Sequence, residues 1–559
     1  MRPHSPGLVR LRGCLAALFL ALSFVPAHAQ QTPAKQEPGP VMNKLVVEGS
    51  TVFSTEDVLW LLELTPGQQL PGPPEQVAQQ LQKRYASDGY GGATVEAIFD
   101  PASGTLTLRV DEGRIDDIEF AGLSSDLAKR FRRDLGVQSG DIYNRSVVQR
   151  SVNKLIVESQ GGLEVADDGI ELQTRSGQRV LVIHIEEKHL RFRFRASSEA
   201  REDFFSPVDG FSPNVALGFT LFDPERFHNT LIAGHVSYKF ARDYAGYSLG
   251  FQHRIVARPK IFFGAEIHDI TASDDFWRLT STEQSSVALG FRNTFRDYYQ
   301  RKGQQGFVAV MPNQNQELTV SIRRDRHDSL SNTTDFSFFR DDHEFRPNPP
   351  IVGGSLRSVV IAYTFDSRGQ LDRDPETTFT NHLLDDLYRA NRRQAYGWRV
   401  DWTSEIAGHG LGGDYEFDRH ILNGRAYVPL SPRQLLSGRM VLGFSGGDLP
   451  IERTFAIGGI GTVHGYQFKQ AAGDGMSLFN AQYRLDLGEG GRPERTSGFS
   501  LFAFFDAGRI VDPLPGQSRD WLKGTGFGVQ AGIFRVEFGY RLDGIPKSLQ
   551  VLVRLSPTF

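Results

Sequence analysis

Residues 190–196 read Leu-Arg-Phe-Arg-Phe-Arg-Ala. Large apolar side chains take every second position and arginines take the others, the period of a strand with two unlike faces. A soluble sandwich would bury Leu190, Phe192 and Phe194 and leave the arginines in water. A membrane barrel would set the same apolar row in lipid and the arginines in a wet lumen. One strand does not decide, but the pattern recurs in Val215/Leu217/Phe219/Leu221, Tyr247/Leu249/Phe251, Ile261/Phe263/Ala265/Ile267, Trp398/Val400/Trp402, Phe479/Ala481/Tyr483/Leu485 and Phe534/Val536/Phe538/Tyr540. The alternate rows carry Gln252, Glu266, Arg399, Asp401, Arg484, Arg535, Glu537 and Arg541. Burying that set in a dry core would be costly, and a water-filled lumen removes the cost. Residues 189–559 are therefore read as a transmembrane antiparallel β-barrel.

The pattern gives about 16 strands. Eleven precede the long segment 445–476, and five follow it near 477–486, 498–507, 525–532, 534–543 and 548–559. If the last strand ends in the periplasm, the turn at Ile533-Phe534 is periplasmic and short, and segments 325–354 and 445–476 lie outside, where long loops belong. Residues 366–395 then come out periplasmic and too long for a turn; a miscounted strand or a short helix at His382–Tyr388 would account for them. The last strand alternates Leu549, Val551, Val553 and Leu555 and ends at Phe559. That is the form of the C-terminal signal by which assembly machinery receives barrel proteins.

Residues 42–113 and 114–188 repeat one pattern, strand–helix–helix–strand–strand. Ser54-Thr55-Glu56-Asp57 opens a helix as a capping box, and a second helix carries Val77, Leu81 and Tyr85 on one face. Gly49 and Gly122, Gly89 and Gly161, and Glu112 and Glu187 hold nearly one spacing, which marks an internal repeat. Each unit would pack two helices on one face of a small sheet and leave an unpaired edge, where an extended chain could add as a strand.

The chain opens with Arg2, Arg10 and Arg12, an apolar run over 13–25 and Ala27-His28-Ala29, the form of a cleaved secretory signal over 1–29. A polar, proline-rich linker follows at 30–41. The only cysteine, Cys14, lies in that signal, so the mature chain is expected to hold no disulfide and no thiolate metal site. The net charge of −4 and the lack of a basic tract argue against nucleic acid. The histidines are scattered without metal-ligand spacing. Gly443-Phe444-Ser445-Gly446-Gly447 fits a nucleophile pattern but ends a barrel strand and lacks the strand-to-helix elbow. No catalytic residue, metal or cofactor is expected.

With Tyr85-Ala86-Ser87-Asp88-Gly89-Tyr90 and Val110-Asp111-Glu112-Gly113, the two units resemble POTRA domains. Gly458-Gly459-Ile460-Gly461-Thr462-Val463-His464-Gly465-Tyr466 and Phe504-Phe505-Asp506-Ala507-Gly508 look like the two signature motifs of the BamA/TamA-type outer-membrane assembly and translocation superfamily, also called bacterial surface antigen barrels. The two-partner-secretion transporters are the nearest other branch. The resemblance covers nearly the whole mature chain. It implies a loop tip folded back into the lumen, with an arginine meeting acidic residues of the wall. Here the arginine position is His464, and the first acidic position is Gln482. The expectation is a tucked loop with Val463, His464, Gly465 and Tyr466 at its tip. One His464–Asp506 hydrogen bond would hold it, with Gln482 beside it and Gly508 on the wall.

The resemblance implies an outer-membrane insertion or translocation factor of a Gram-negative bacterium, its repeats in the periplasm. They would receive unfolded outer-membrane or secreted polypeptide and pass it to a barrel seated in outer-membrane lipid. No nucleotide would take part, and accessory periplasmic or lipoprotein subunits are left open. The short linker has no room for a plug helix, which favours the BamA/TamA branch over a transporter for one dedicated secreted protein. A passive porin or a surface antigen is the reading of another class.

Overall fold

The computed structural model describes residues 39–157, 159, 162–196, 202–226, 228–256, 259–339, 343–367, 397–487, 499–545 and 547–555. The signal at 1–29, most of the linker, Gly161, the segment 368–395 with its expected helix at His382–Tyr388, and Phe559 lie outside the described residues.

The chain forms two compact units. One comprises the residues up to Ile115 together with Gly140–Ser146. Its helices Thr55–Leu61 and Pro74–Ser87 lie on a sheet in which Lys44–Glu48 runs parallel to Thr105–Asp111, and Thr94–Asp100 pairs antiparallel on the other side. Ser54 caps the first helix through the Asp57 amide, and Asp57 answers through the Ser54 amide. Met42, Val58, Val77, Leu81, Tyr85, Leu106 and Leu108 fill the core. The carboxylate of Glu112 gathers the Thr51 and Val52 amides at 2.6 and 2.7 Å and the Thr51 hydroxyl at 2.6 Å. Burial alone would raise that carboxyl, but these hydrogen bonds outweigh it and hold it below the ordinary carboxylate range. Burial, with Glu112 beside it, pushes the Tyr85 phenol up to about 12.

Glu112→Ala strips three donors of their acceptor at once. It is expected to lower local stability by about 2–4 kcal/mol, read as faster hydrogen exchange at the Thr51 and Val52 amides of the full chain. Because the folded carboxyl is depressed, its contribution is present above the unfolded value of about 4.3 and fades as pH falls through the folded one. Unchanged exchange in the variant would refute this role.

The second unit holds most of the other repeat, Asp116–Ser139 and the residues from Val147, together with the barrel. The repeat has the same sheet order: Asp117–Ala121 runs parallel to Gln178–Glu187, which pairs antiparallel with Leu163–Arg175. The two repeats also use one device. Gly49 and Gly122 sit at φ +81° and +85°, and a Cβ at either would strike a strand carbonyl, Val110 O in one and Ile185 O in the other.

Among the described residues, the barrel is a closed sheet of seventeen strands, antiparallel between sequence neighbours. Sixteen form the wall; the other, Phe455–Ile457, is three residues long, and beside it Gln434–Gly447 pairs directly with Ala471–Asp486. Eleven wall strands precede this short piece and five follow, Ala471–Asp486, Phe499–Pro513, Leu522–Ala531, Phe534–Arg541 and Gln550–Arg554. Closure sets Gln550–Arg554 beside Leu190–Ala196. The tight turn is Gly532-Ile533, one residue earlier than the sequence suggests, because Ala531 pairs with Phe534 and Gly532 takes φ +59°. Outward rows are apolar and exposed: Phe192, Phe194, Leu217, Phe219 and Phe534, with Leu549, Val551 and Val553 of the last segment. Inward rows are charged and buried, Arg535 and Glu537 at 2% exposure each. Leu555 follows the last described strand. No helix of the described residues is long and apolar enough to cross a membrane.

One element is absent from the sequence reading. Residues Ser281–Phe291 form a helix capped by Thr280. It carries buried Glu283, Gln284 and Ser285, and Glu283 pairs with Arg554 of the last strand. A helix in a polar lumen has no apolar stripe, so periodicity does not reveal it.

Candidate functional site

The segment between strands Gln434–Gly447 and Ala471–Asp486 turns inward. Gly458, Gly459, Gly461 and Gly465 all take positive φ, from +72° to +117°, which lets the chain double back in a few residues. The Gly459 amide donates to Val463 O at 2.9 Å, and the Thr462 hydroxyl accepts from the Gly458 amide at 2.9 Å. Arg278 donates to Ala456 O at 2.6 Å, and Arg439 to Gly461 O at 3.3 Å. Lys469 pairs with Asp275 and Asp297 at 2.8 and 2.7 Å.

The tip meets the wall through six of the seven expected residues, Val463, His464, Gly465 and Tyr466 on the loop and Asp506 and Gly508 on the wall. Val463 is fully buried and lies over Gly508, where a Cβ would come 3.1 Å from its Cγ2. His464 Nδ1 lies 2.6 Å from Asp506 Oδ2, which also accepts the His464 amide at 3.2 Å. Gly465 packs on the backbone of Tyr540 and Arg541, and its amide donates to Gln550 Oε1 at 3.1 Å. The Tyr466 hydroxyl accepts from the Lys523 amide at 3.2 Å.

Two expectations change. The lock is not a single bond, because His464 Nε2 lies 2.9 Å from Glu537 Oε2. A neutral imidazole has one N–H, so both ring contacts are hydrogen bonds only when the ring is an imidazolium. An imidazolium at this position would place one cation between two carboxylates, Asp506 and Glu537, in place of the single bond expected from sequence. Nor does Gln482 stand beside it. Asn480 is the residue opposite Asp506 on the neighbouring strand, and its amide bridges Asp506 Oδ1 at 2.8 Å and Thr462 O at 2.7 Å. Gln482, two residues further along, faces Phe504 and accepts from Arg535 at 2.5 Å. Arg535 in turn pairs with Glu537 and lies 3.7 Å over the Phe502 ring.

Glycines open the space the loop occupies. A Cβ at Gly524 or Gly539 would press on the His464 backbone or its Cβ. At Gly526 and Gly528 it would meet the rings of Phe504 and Phe502, and the His464 ring lies 4.3 Å from Phe504. The inward parity of Glu537 and Asn480 is readable from sequence; the meeting of Glu537 with His464 and of Asn480 with Asp506 depends on the register of four strands and is not.

The Omp85 superfamily domain model matches residues 191–534, more than half of the chain. The chain belongs to the Omp85 superfamily. A second model, the surface antigen variable number repeat of POTRA type, matches residues 40–113. The outer membrane protein assembly factor BamA of Nitratidesulfovibrio vulgaris is 31% identical over 124 residues, 20% of this chain and 15% of that protein. Among solved structures, BamA from Haemophilus ducreyi lacking POTRA domains 1–3 is 14% identical, covering 94% of this chain and all of that one, at a TM-score of 0.45. CdiB from Escherichia coli is 14% identical over 95% of this chain and 92% of that one, at a TM-score of 0.35. As an Omp85 protein the chain resides in the outer membrane, with POTRA repeats on the periplasmic side.

Proposed function

We propose that this Omp85 protein inserts polypeptide into the outer membrane, its POTRA sheets receiving unfolded chain by strand addition and the barrel releasing it at the seam. The observation that carries this reading is the pairing of a filled lumen with a short closing strand. The 458–470 loop and the 281–291 helix occupy the interior, while the last strand, Gln550–Arg554, has five described residues against ten in Leu522–Ala531. The last strand pairs with Phe534–Arg541 at five positions, and a short ladder parts at lower cost than a long one. The filled lumen argues against a passive porin. Two repeats ahead of the barrel also suit export of one dedicated secreted protein, and that is the second reading.

Depletion of the protein, followed by proteomic profiling of outer membrane and medium, separates the cases. Loss of several barrel proteins supports insertion. Loss of one secreted protein supports dedicated export, and no change in either fraction overturns both.

A further inference from the structure

On the outward face, five strands share two rows. One reads Ile232–Phe251–Ala265–Gly306–Ile322 across directly paired positions. The small pair Ala265 and Gly306, set between Phe251 and Ile322, leaves a depression in an otherwise bulky apolar wall. Together with Leu249 and Ile267 it forms a groove of about 740 Å³. The adjacent row, one pleat toward the outer rim, ends Ile267–Gln304–Arg324–Arg357. The row beyond reads Asp269–Lys302–Arg326.

Four cations thus stand side by side on the lipid face at the head of an apolar groove. Two are answered by carboxylates, Lys302 by Asp269 at 3.2 Å and Arg326 by Asp328 at 3.1 Å. Arg357 donates to Leu411 O at 3.3 Å. Arg324 is exposed and has no ion pair among the described residues. Below it on the same strand, Ile322, Val320 and Leu318 are the exposed apolar residues. The step from apolar to cationic therefore falls where hydrocarbon gives way to headgroups.

We infer that this face binds a phosphorylated lipid of the outer leaflet, its acyl chain in the groove over Ala265 and Gly306 and its phosphate on Arg324 and Arg357. The guanidinium fork suits phosphate oxygens, and the apolar groove excludes inorganic phosphate as the sole ligand. The site lies on the opposite surface of the wall from the lumen loop and is independent of the insertion reading.

The test is native mass spectrometry of the full chain in detergent, titrated with a bisphosphorylated glucosamine lipid, a zwitterionic phospholipid or inorganic phosphate. The expected result is retention of the bisphosphorylated lipid at least about tenfold over the zwitterionic one, and loss of that preference in the Arg324→Ala/Arg357→Ala variant. Gly306→Phe, which fills the groove and keeps the cations, should weaken lipid without creating phosphate binding. Heat-modifiable migration on gels confirms that each variant is a folded barrel, and Arg324→Lys should restore part of the preference. Equal retention of both lipids by the native chain overturns the proposal. So does an undiminished preference in the double arginine variant, or equal competition by inorganic phosphate.

Discussion

Asp506→Ala is expected to free the 458–470 loop and make a quiet barrel conduct. Asp506 accepts from the His464 ring, the His464 amide and the Asn480 amide, and it is wholly buried. Its removal leaves His464 with Glu537 alone and strands two neutral donors. Removing one partner of a buried ion pair costs about 3–5 kcal/mol, a shift of roughly 10²- to 10⁴-fold toward the undocked loop. Two measurements read it: conductance of single barrels in a planar bilayer, and trypsin cleavage at Lys469, which in the docked loop is held by Asp275 and Asp297. Asp506→Asn keeps an acceptor and loses the charge, so its effect should fall between. Native-like conductance and protection in Asp506→Ala would show that the lock carries no weight.

Gly465→Val should undock the same loop without touching a charge. Gly465 sits at φ +84°, and a Cβ there would come within 3.0 Å of the backbone of Tyr540 and Arg541. A strand backbone cannot rotate out of the way as a side chain can. A β-branched residue at positive φ adds about 1–2 kcal/mol of strain. Conductance should rise as in Asp506→Ala while the His464 and Asp506 side chains remain intact. The double variant should be no more open than either single one, since both act on one docking step. Additive effects would mean that the two residues hold different states.

The wall was legible from sequence because lipid and lumen force period-two alternation, as in the arginine and phenylalanine rows at 190–196. The count of eleven strands before the loop and five after rests on the same signal. The loop tip was legible as a glycine-dense interruption with one titratable residue. Glu537 as the second partner of His464 was not, because the two lie 73 positions apart and meet only through the inward fold of the loop and the register of four strands. The lipid-side groove depends on the register of five strands, and the 281–291 helix on a polar interior that erases amphipathic pattern.

The glycines facing the loop have a mechanical consequence. Gly524, Gly526 and Gly528 occupy every second position of one strand, with Gly539 on the next, two strands from the closing edge. Each weakens its strand by about 0.5–1 kcal/mol relative to alanine, and the loop together with Phe502 and Phe504 fills the volume they leave. With the loop seated, this panel is braced from within. With the loop lifted, the panel loses that brace, so bending strain would collect there and load the neighbouring edge.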